Sequence, residues 1–140
     1  MLILDTNVLS ALMQTPPEAL VVRWLDQQAP ESLWTTSITV FELQFGLATL
    51  PAGRRRTALQ QAFAELIDTD LGRRVLDFDS AAAAHAAKLA FQRKQAGVPV
   101  DMRDTQIAGI ALARRAGIVT RNVRHFEGLA VAVHNPWAAD

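Results

Sequence analysis

The sequence has 140 residues, half of them hydrophobic, with fourteen basic and fourteen acidic side chains and a net charge of zero. That length suits one domain over residues 1–140, and the zero balance argues against a nucleic-acid binder that works by bulk positive charge. The absence of Cys excludes disulfides and thiolate metal sites, which fits a reducing, cytoplasmic compartment. The N-terminal Met-Leu-Ile-Leu-Asp lacks the features of a signal peptide, and no run approaches the roughly 18–20 apolar residues that cross a bilayer, so no membrane association is expected.

Leu2-Ile3-Leu4 is a short apolar run ending at Asp5 and predicts a buried strand. Asn7 to Met13 predicts a short helix, broken by Thr15-Pro16-Pro17. A second helix runs from about Pro17 to Gln28, with Leu20, Val21, Trp24 and Leu25 on one face. Ser32 to Thr36 reads as a strand and Ile38 to Leu50 as a helix stopped by Pro51-Ala52-Gly53. Arg54 to Leu66 carries Leu59, Phe63 and Leu66 at helical spacing. Val75 to Phe78 is a brief strand. Asp79 or Ser80 caps a helix to about Ala96, ended by Gly97 and Pro99. Asp101 to Arg115 is a further helix closed by Gly117, and Ile118–Thr120 and Val131–Val133 are the last strands. Short apolar strands alternating with helices predict an α/β fold with a mostly parallel sheet between helical layers. Ligands of such folds bind beyond the carboxyl ends of the strands. Asp5 follows the first strand directly and Asn122 follows the fourth by one residue, so both fall on that edge.

Three acids carry the chemical interest. Asp5, in Asp-Thr-Asn, suits a helix start, and equally a metal ligand at the edge of the sheet. Glu42 is the only charged residue among the thirteen from Ile38 to Leu50, a helix whose circumference is mostly apolar and which should be largely buried. A carboxylate there needs a bound cation or a partner Arg, unless its stripe faces solvent. Asp104 lies in line with Ile107, Ala108 and Ala111, the face that packs inward, and also in a first turn where the helix dipole favours an acid. Asp101, just after Pro99, fits a helix cap better than a ligand. If Asp5, Glu42 and Asp104 converge, their repulsion calls for a cation. Oxygen ligands without His or Cys point to Mg²⁺ or Mn²⁺, ions that serve phosphoryl transfer. A phosphotransferase with Asp5 as nucleophile fits less well, because the second acid that pattern wants two residues on is Asn7 here.

Four segments together resemble the PIN-domain family, and within it the VapC-type toxins of bacterial toxin–antitoxin pairs. They are Leu-Asp5-Thr-Asn, Ser-Ile-Thr-Val-Phe-Glu42-Leu-Gln-Phe-Gly, Asp104-Thr-Gln-Ile-Ala-Gly and Val-Thr120-Arg-Asn122-Val-Arg-His-Phe. They occur in the family's order and span nearly the whole chain, and the closing Asn135-Pro136-Trp137 resembles the FitB-like branch. The resemblance implies a PIN-like three-layer α/β/α fold and Mg²⁺-dependent endonucleolytic cleavage of structured RNA, leaving a 5′-phosphate and a 3′-hydroxyl. It implies Asp5, Glu42 and Asp104 as metal ligands, with Thr6 or Thr120 holding a water or a carboxylate. Asn122 stands at the family's fourth acidic position, so a second ion has fewer anionic ligands and one well-held Mg²⁺ with a weaker second is expected.

The resemblance also implies a homodimer and a cognate antitoxin that obstructs the active site. Basic clusters at Arg54–Arg56, Arg73–Arg74, Arg114–Arg115, and Arg121 with Arg124 are candidates for RNA phosphates or ordinary solvated surface. His125, after the Arg-Asn turn, reads as a loop or core residue, with an RNA contact as the lesser alternative, and His85 and His134 take no role. The alternative function is a PIN-like module that binds RNA or a partner without cutting, which the neutral Asn122 leaves open.

Overall fold

The computed structural model describes residues 1–138. Five parallel strands, β1 (Leu2–Leu4), β2 (Leu33–Thr36), β3 (Val75–Leu76), β4 (Gly117–Val119) and β5 (Val133–His134), lie in the order β3-β2-β1-β4-β5. Six α-helices join them: α1 (Thr6–Met13), α2 (Ala19–Asp26), α3 (Ser37–Thr49), α4 (Arg54–Glu65), α5 (Ser80–Gln95) and α6 (Met102–Arg114).

The strands are mostly apolar because both faces of the sheet are covered, and alternate side chains feed two separate cores. Leu4 and Val119 point into one core with Val8, Leu9, Val21, Leu47, Phe63 and Leu66, formed by α1 to α4. Ile3 and Ile118 point into the other, with Ala82, Ile107, Ala108, Ile110 and Phe126, formed chiefly by α5 and α6. The result is the expected three-layer α/β/α arrangement. The α5–α6 pair packs closely enough that a Cβ at Gly109 would lie 2.5 Å from the Ala82 carbonyl oxygen and 2.7 Å from the Ala86 Cβ. Small residues on α5 and a glycine on α6 therefore set the thickness of this layer.

Caps explain most of the helix boundaries. Asp79 accepts the Ala82 amide at 2.9 Å and Asp101 accepts the Asp104 amide at 2.9 Å, both as the capping pattern predicts. Gly97 follows α5 in the left-handed region. At the end of α6 the left-handed position belongs to Arg115, at φ 52°, rather than to Gly117, which instead opens β4 against Leu2. The predicted second helix is shorter than expected, Ala19–Asp26 against Pro17–Gln28, and Leu20 on it is exposed. The last strand lies two residues later than predicted at its start, and α4 continues into a π-turn at Leu66–Asp70.

One expectation fails clearly. Helix α3 is not largely buried: only Thr39 and Leu47 are, while Phe41 and Phe45 are 66% and 63% exposed and stack on each other with centroids 6.1 Å apart. Its apolar residues outnumber what one layer of neighbours can cover, so one face is left open to solvent. Among the described residues no helix is long and apolar enough to cross a membrane.

Candidate active site

The strand order reverses between β1 and β4: the chain moves from β1 through β2 to β3 on one side, then returns to build β4 and β5 on the other. Crevices at such a reversal, beyond the carboxyl ends of the strands, are where open α/β sheets bind ligands. Here the crevice is a pocket of about 400 Å³, and Asp5, Thr6, Glu42, Asp104, Arg121 and Asn122 all line it. Asp5 comes from the end of β1, Glu42 from the second turn of α3, Asp104 from the first turn of α6, and Arg121 and Asn122 from the loop after β4.

Asp5 is 4% exposed and both its oxygens are engaged. Oδ1 accepts the Thr6 amide at 2.8 Å as the cap of α1, and Oδ2 accepts the Thr120 hydroxyl at 2.7 Å and Asn7 Nδ2 at 3.2 Å. The two readings of Asp5 are thus not exclusive: the cap uses one oxygen and the other faces the β4 side. Thr120 is fully buried beneath the pocket rather than lining it, and it also accepts the Asn122 amide at 3.0 Å and Asn7 Nδ2 at 3.3 Å. Asn7 Oδ1 in turn accepts the Arg121 amide at 3.1 Å. Asn7 therefore ties the start of α1 to the loop after β4, a role that the sequence reading missed although the residue stands two after Asp5.

Glu42 and Asp104 reach the same pocket with weaker tethers. Glu42 Oε1 accepts the Thr6 hydroxyl at 3.3 Å, and Oε2 lies 3.6 Å from Arg103 Nη1. Burial raises its pKa; Arg103 and the Thr6 hydrogen bond oppose this, and the charges of Asp5 and Asp104 add to it. Asp104 Oδ2 meets His125 Nδ1 at 2.5 Å. Its pKa is also raised, first by burial and then by the charges of Asp101 and Asp5, while the His125 hydrogen bond and charge pull it down. Arg103 and His125 are the two partners that sequence reasoning did not find. Arg103 precedes Asp104 directly, and α6 turns it toward α3. His125 is surface rather than core, on the short 3-10 helix Val123–Phe126, where Arg93 Nη2 holds its carbonyl at 2.8 Å.

Asp101 and Arg124 do not line the pocket. Asp101 caps α6 and so sets the position of Asp104 one turn on. Three basic clusters are partly spent on structure: Arg56 donates to the Leu50 carbonyl, Arg74 to the Leu33 and Pro30 carbonyls, Arg73 pairs with Asp68, and Arg114 pairs with Asp79.

Among the described residues no three His, Asp or Glu side chains are gathered tightly enough to hold an ion as they stand. Glu42 is turned to Arg103 and Asp104 to His125. The donor set nevertheless fits a hard divalent cation: it is all oxygen, and Glu42 and Asp104 have pKa values raised first by burial and further by neighbouring acids, Asp5 among them. Arg103 and His125, which engage Glu42 and Asp104, are both more than half exposed, so a cation entering the pocket competes with solvent-screened partners.

The PIN domain model matches residues 2–131. VapC ribonuclease Y4jK of Sinorhizobium fredii is 40% identical over 137 residues, covering 98% of each chain. Toxin FitB of Neisseria gonorrhoeae is 34% identical over 137 residues, covering 98% of this chain and 99% of its own. The tRNA(fMet)-specific endonuclease VapC of Shigella flexneri is 31% identical, covering 96% of each. The crystal structure of FitAcB from Neisseria gonorrhoeae superimposes with a TM-score of 0.88, covering 99% of this chain and all of that one. With the matched fold, the pocket at the switch point and relatives aligned from end to end, the chain belongs to the PIN-domain family and, within it, to the VapC-type proteins.

Proposed function

We propose that this protein is a Mg²⁺-dependent endoribonuclease and the toxin of a toxin–antitoxin pair, hydrolysing phosphodiester bonds of structured RNA in the cytoplasm. The observation that carries the reading is the convergence of Asp5, Glu42 and Asp104, from three elements far apart in sequence, on one pocket at the strand-order reversal. When bound, Mg²⁺ (or Mn²⁺) supplies an activated water and neutralises charge at the phosphate.

The chain's own groups divide the remaining work. Asp5, fixed through both oxygens, is the rigid ligand. Glu42 and Asp104 are adjustable ligands, since each leaves a partner that is more than half exposed. Thr6 and Thr120 hold carboxylates in place, and Asp101 supports Asp104 through the cap of α6. Asn122 contributes a neutral amide where another acid would attract a second ion, so one ion is held well and a second weakly. Arg121, and Arg124 one turn further, face RNA phosphates.

Relatives named as a ribonuclease, a toxin and a tRNA endonuclease support the substrate class. A cognate antitoxin is the expected protein partner. The open apolar face at Phe41 and Phe45 supports a homodimer.

Asp5→Asn and Asp104→Asn, assayed on tRNA with Mg²⁺ and by calorimetric Mn²⁺ titration, test this reading. Each variant should stay folded, lose cleavage and bind the ion weakly. Wild-type-like cleavage by both variants, or wild-type cleavage undiminished in EDTA, overturns it. RNA binding by the wild type with no ion binding and no cleavage supports the non-catalytic module instead.

A further inference from the structure

Arg121 is the one Lys or Arg among the described residues lining the carboxylate pocket. It is the first exposed residue beyond β4, and its backbone is pinned by the hydrogen bond to Asn7 Oδ1 at 3.1 Å. Its side chain does not join the acids. Among the described residues Arg121 forms no ion pair, although Asp5, Glu18, Glu42 and Asp104 all line the same pocket. Instead the guanidinium carbon lies 4.9 Å from the centroid of the Trp137 ring. Trp137 is a good anchor: it packs partly buried against the core beneath α1 to α4, and its amide is held by Asn135 Oδ1 at 3.0 Å.

An exposed arginine normally pays rotamer entropy when it captures an anion. One already laid over an indole has lost much of that freedom and keeps its N–H edges available for an incoming phosphate. The pair also offsets the negative charge that would otherwise repel an RNA strand from three carboxylates.

Resting on the ribonuclease reading above, we propose that Arg121 and Trp137 form a subsite for a backbone phosphate of the RNA beside the cleaved bond. Arg121 binds the phosphate, and Trp137 is the positioning residue that holds the guanidinium over the pocket wall.

The test is equilibrium binding of a fluorescein-labelled uridine oligoribonucleotide, in EDTA so that nothing is cut, over a series of salt concentrations. Arg121→Ala should weaken binding and lower the slope of log affinity against log salt by about 0.7, the value for one phosphate on a single strand. Trp137→Leu keeps apolar volume in the core but removes the ring, and should cost about two- to fivefold in affinity, with Trp137→Phe restoring part of it. The double variant Arg121→Ala/Trp137→Leu should bind no more weakly than Arg121→Ala alone. An unchanged salt slope in Arg121→Ala, or fully additive losses in the double variant, overturns the subsite. If wild type still cleaves tRNA with Mg²⁺ in that case, the nuclease reading stands without it. If wild type neither binds the oligonucleotide nor cleaves tRNA, both fail.

Discussion

The Thr120 hydroxyl donates to Asp5 Oδ2 across 2.7 Å, joining the ends of β4 and β1 at the point where the strand order reverses, although 115 residues separate the two in the chain. Thr120 is completely buried and the carboxylate it holds is nearly so, which makes this bond part of the floor of the pocket rather than of its lining.

Thr120→Val keeps the shape of the side chain but removes the donor to Asp5 and the acceptor for the Asn122 and Asn7 groups. Buried polar partners left unmet should lower stability by roughly 1–3 kcal/mol. Thr120→Ser should restore most of it. Urea unfolding of the three proteins checks the order, and Mn²⁺ calorimetry should show weaker binding in the valine variant, because Asp5 Oδ2 then keeps only the longer hydrogen bond from Asn7.

Glu42 and Asp104 both have pKa values raised above their ordinary carboxyl range, first by burial. The folded protein therefore keeps these protons to a higher pH than the unfolded chain does. Their contribution favours folding at low pH and is lost as pH rises from about 4 through the raised values. In EDTA, the variant Glu42→Gln/Asp104→Asn should accordingly gain stability relative to wild type as pH climbs toward 7. Added Mg²⁺ should reverse the comparison by stabilising only wild type, by about 2.7 kcal/mol at a hundred times its dissociation constant, and that increment should shrink as the acids protonate. Thermal unfolding across pH, with and without Mg²⁺, measures both trends. A wild-type stability indifferent to Mg²⁺ at neutral pH contradicts the ligand assignment.

Phe41 and Phe45 expose stacked rings on the open face of α3. If that face seals a homodimer, Phe41→Ser/Phe45→Ser should weaken association by tenfold or more, since burying one such ring contributes roughly 1.5–3 kcal/mol. The monomer itself should lose little stability, because neither ring belongs to the two cores. Sedimentation equilibrium decides it: an unchanged dimer assigns the face to another partner.

Much of the fold was legible because its signals are local. Apolar triplets such as Leu2–Leu4, the capping acids Asp79 and Asp101 and the stop at Gly97 depend on nearest neighbours and hydrogen bonds within one turn. Helix α3 was misjudged for the opposite reason. An apolar circumference states that a helix can be buried, and whether each side finds a neighbour depends on elements elsewhere in the chain. Among the described residues Phe41 and Phe45 stack only on each other and stay exposed.

The sequence by itself determined the alternation of strands and helices, the oxygen-only character of the candidate ligands, and the family resemblance carried by Asp5, Glu42, Asp104 and Asn122. Only the tertiary structure decided how those residues are tied together. Asn7 and Thr120 became the bridge between β1 and β4 because a parallel sheet sets those strand ends side by side. Arg103 and His125 became partners of Glu42 and Asp104 because α6 starts beside α3 and the turn after β4. Arg121 came to lie on Trp137 through the return of the chain past β5. Each is a contact between segments whose separation in sequence carries no periodic or local signal. Only the packing of the three layers brings such groups within a few ångströms of each other.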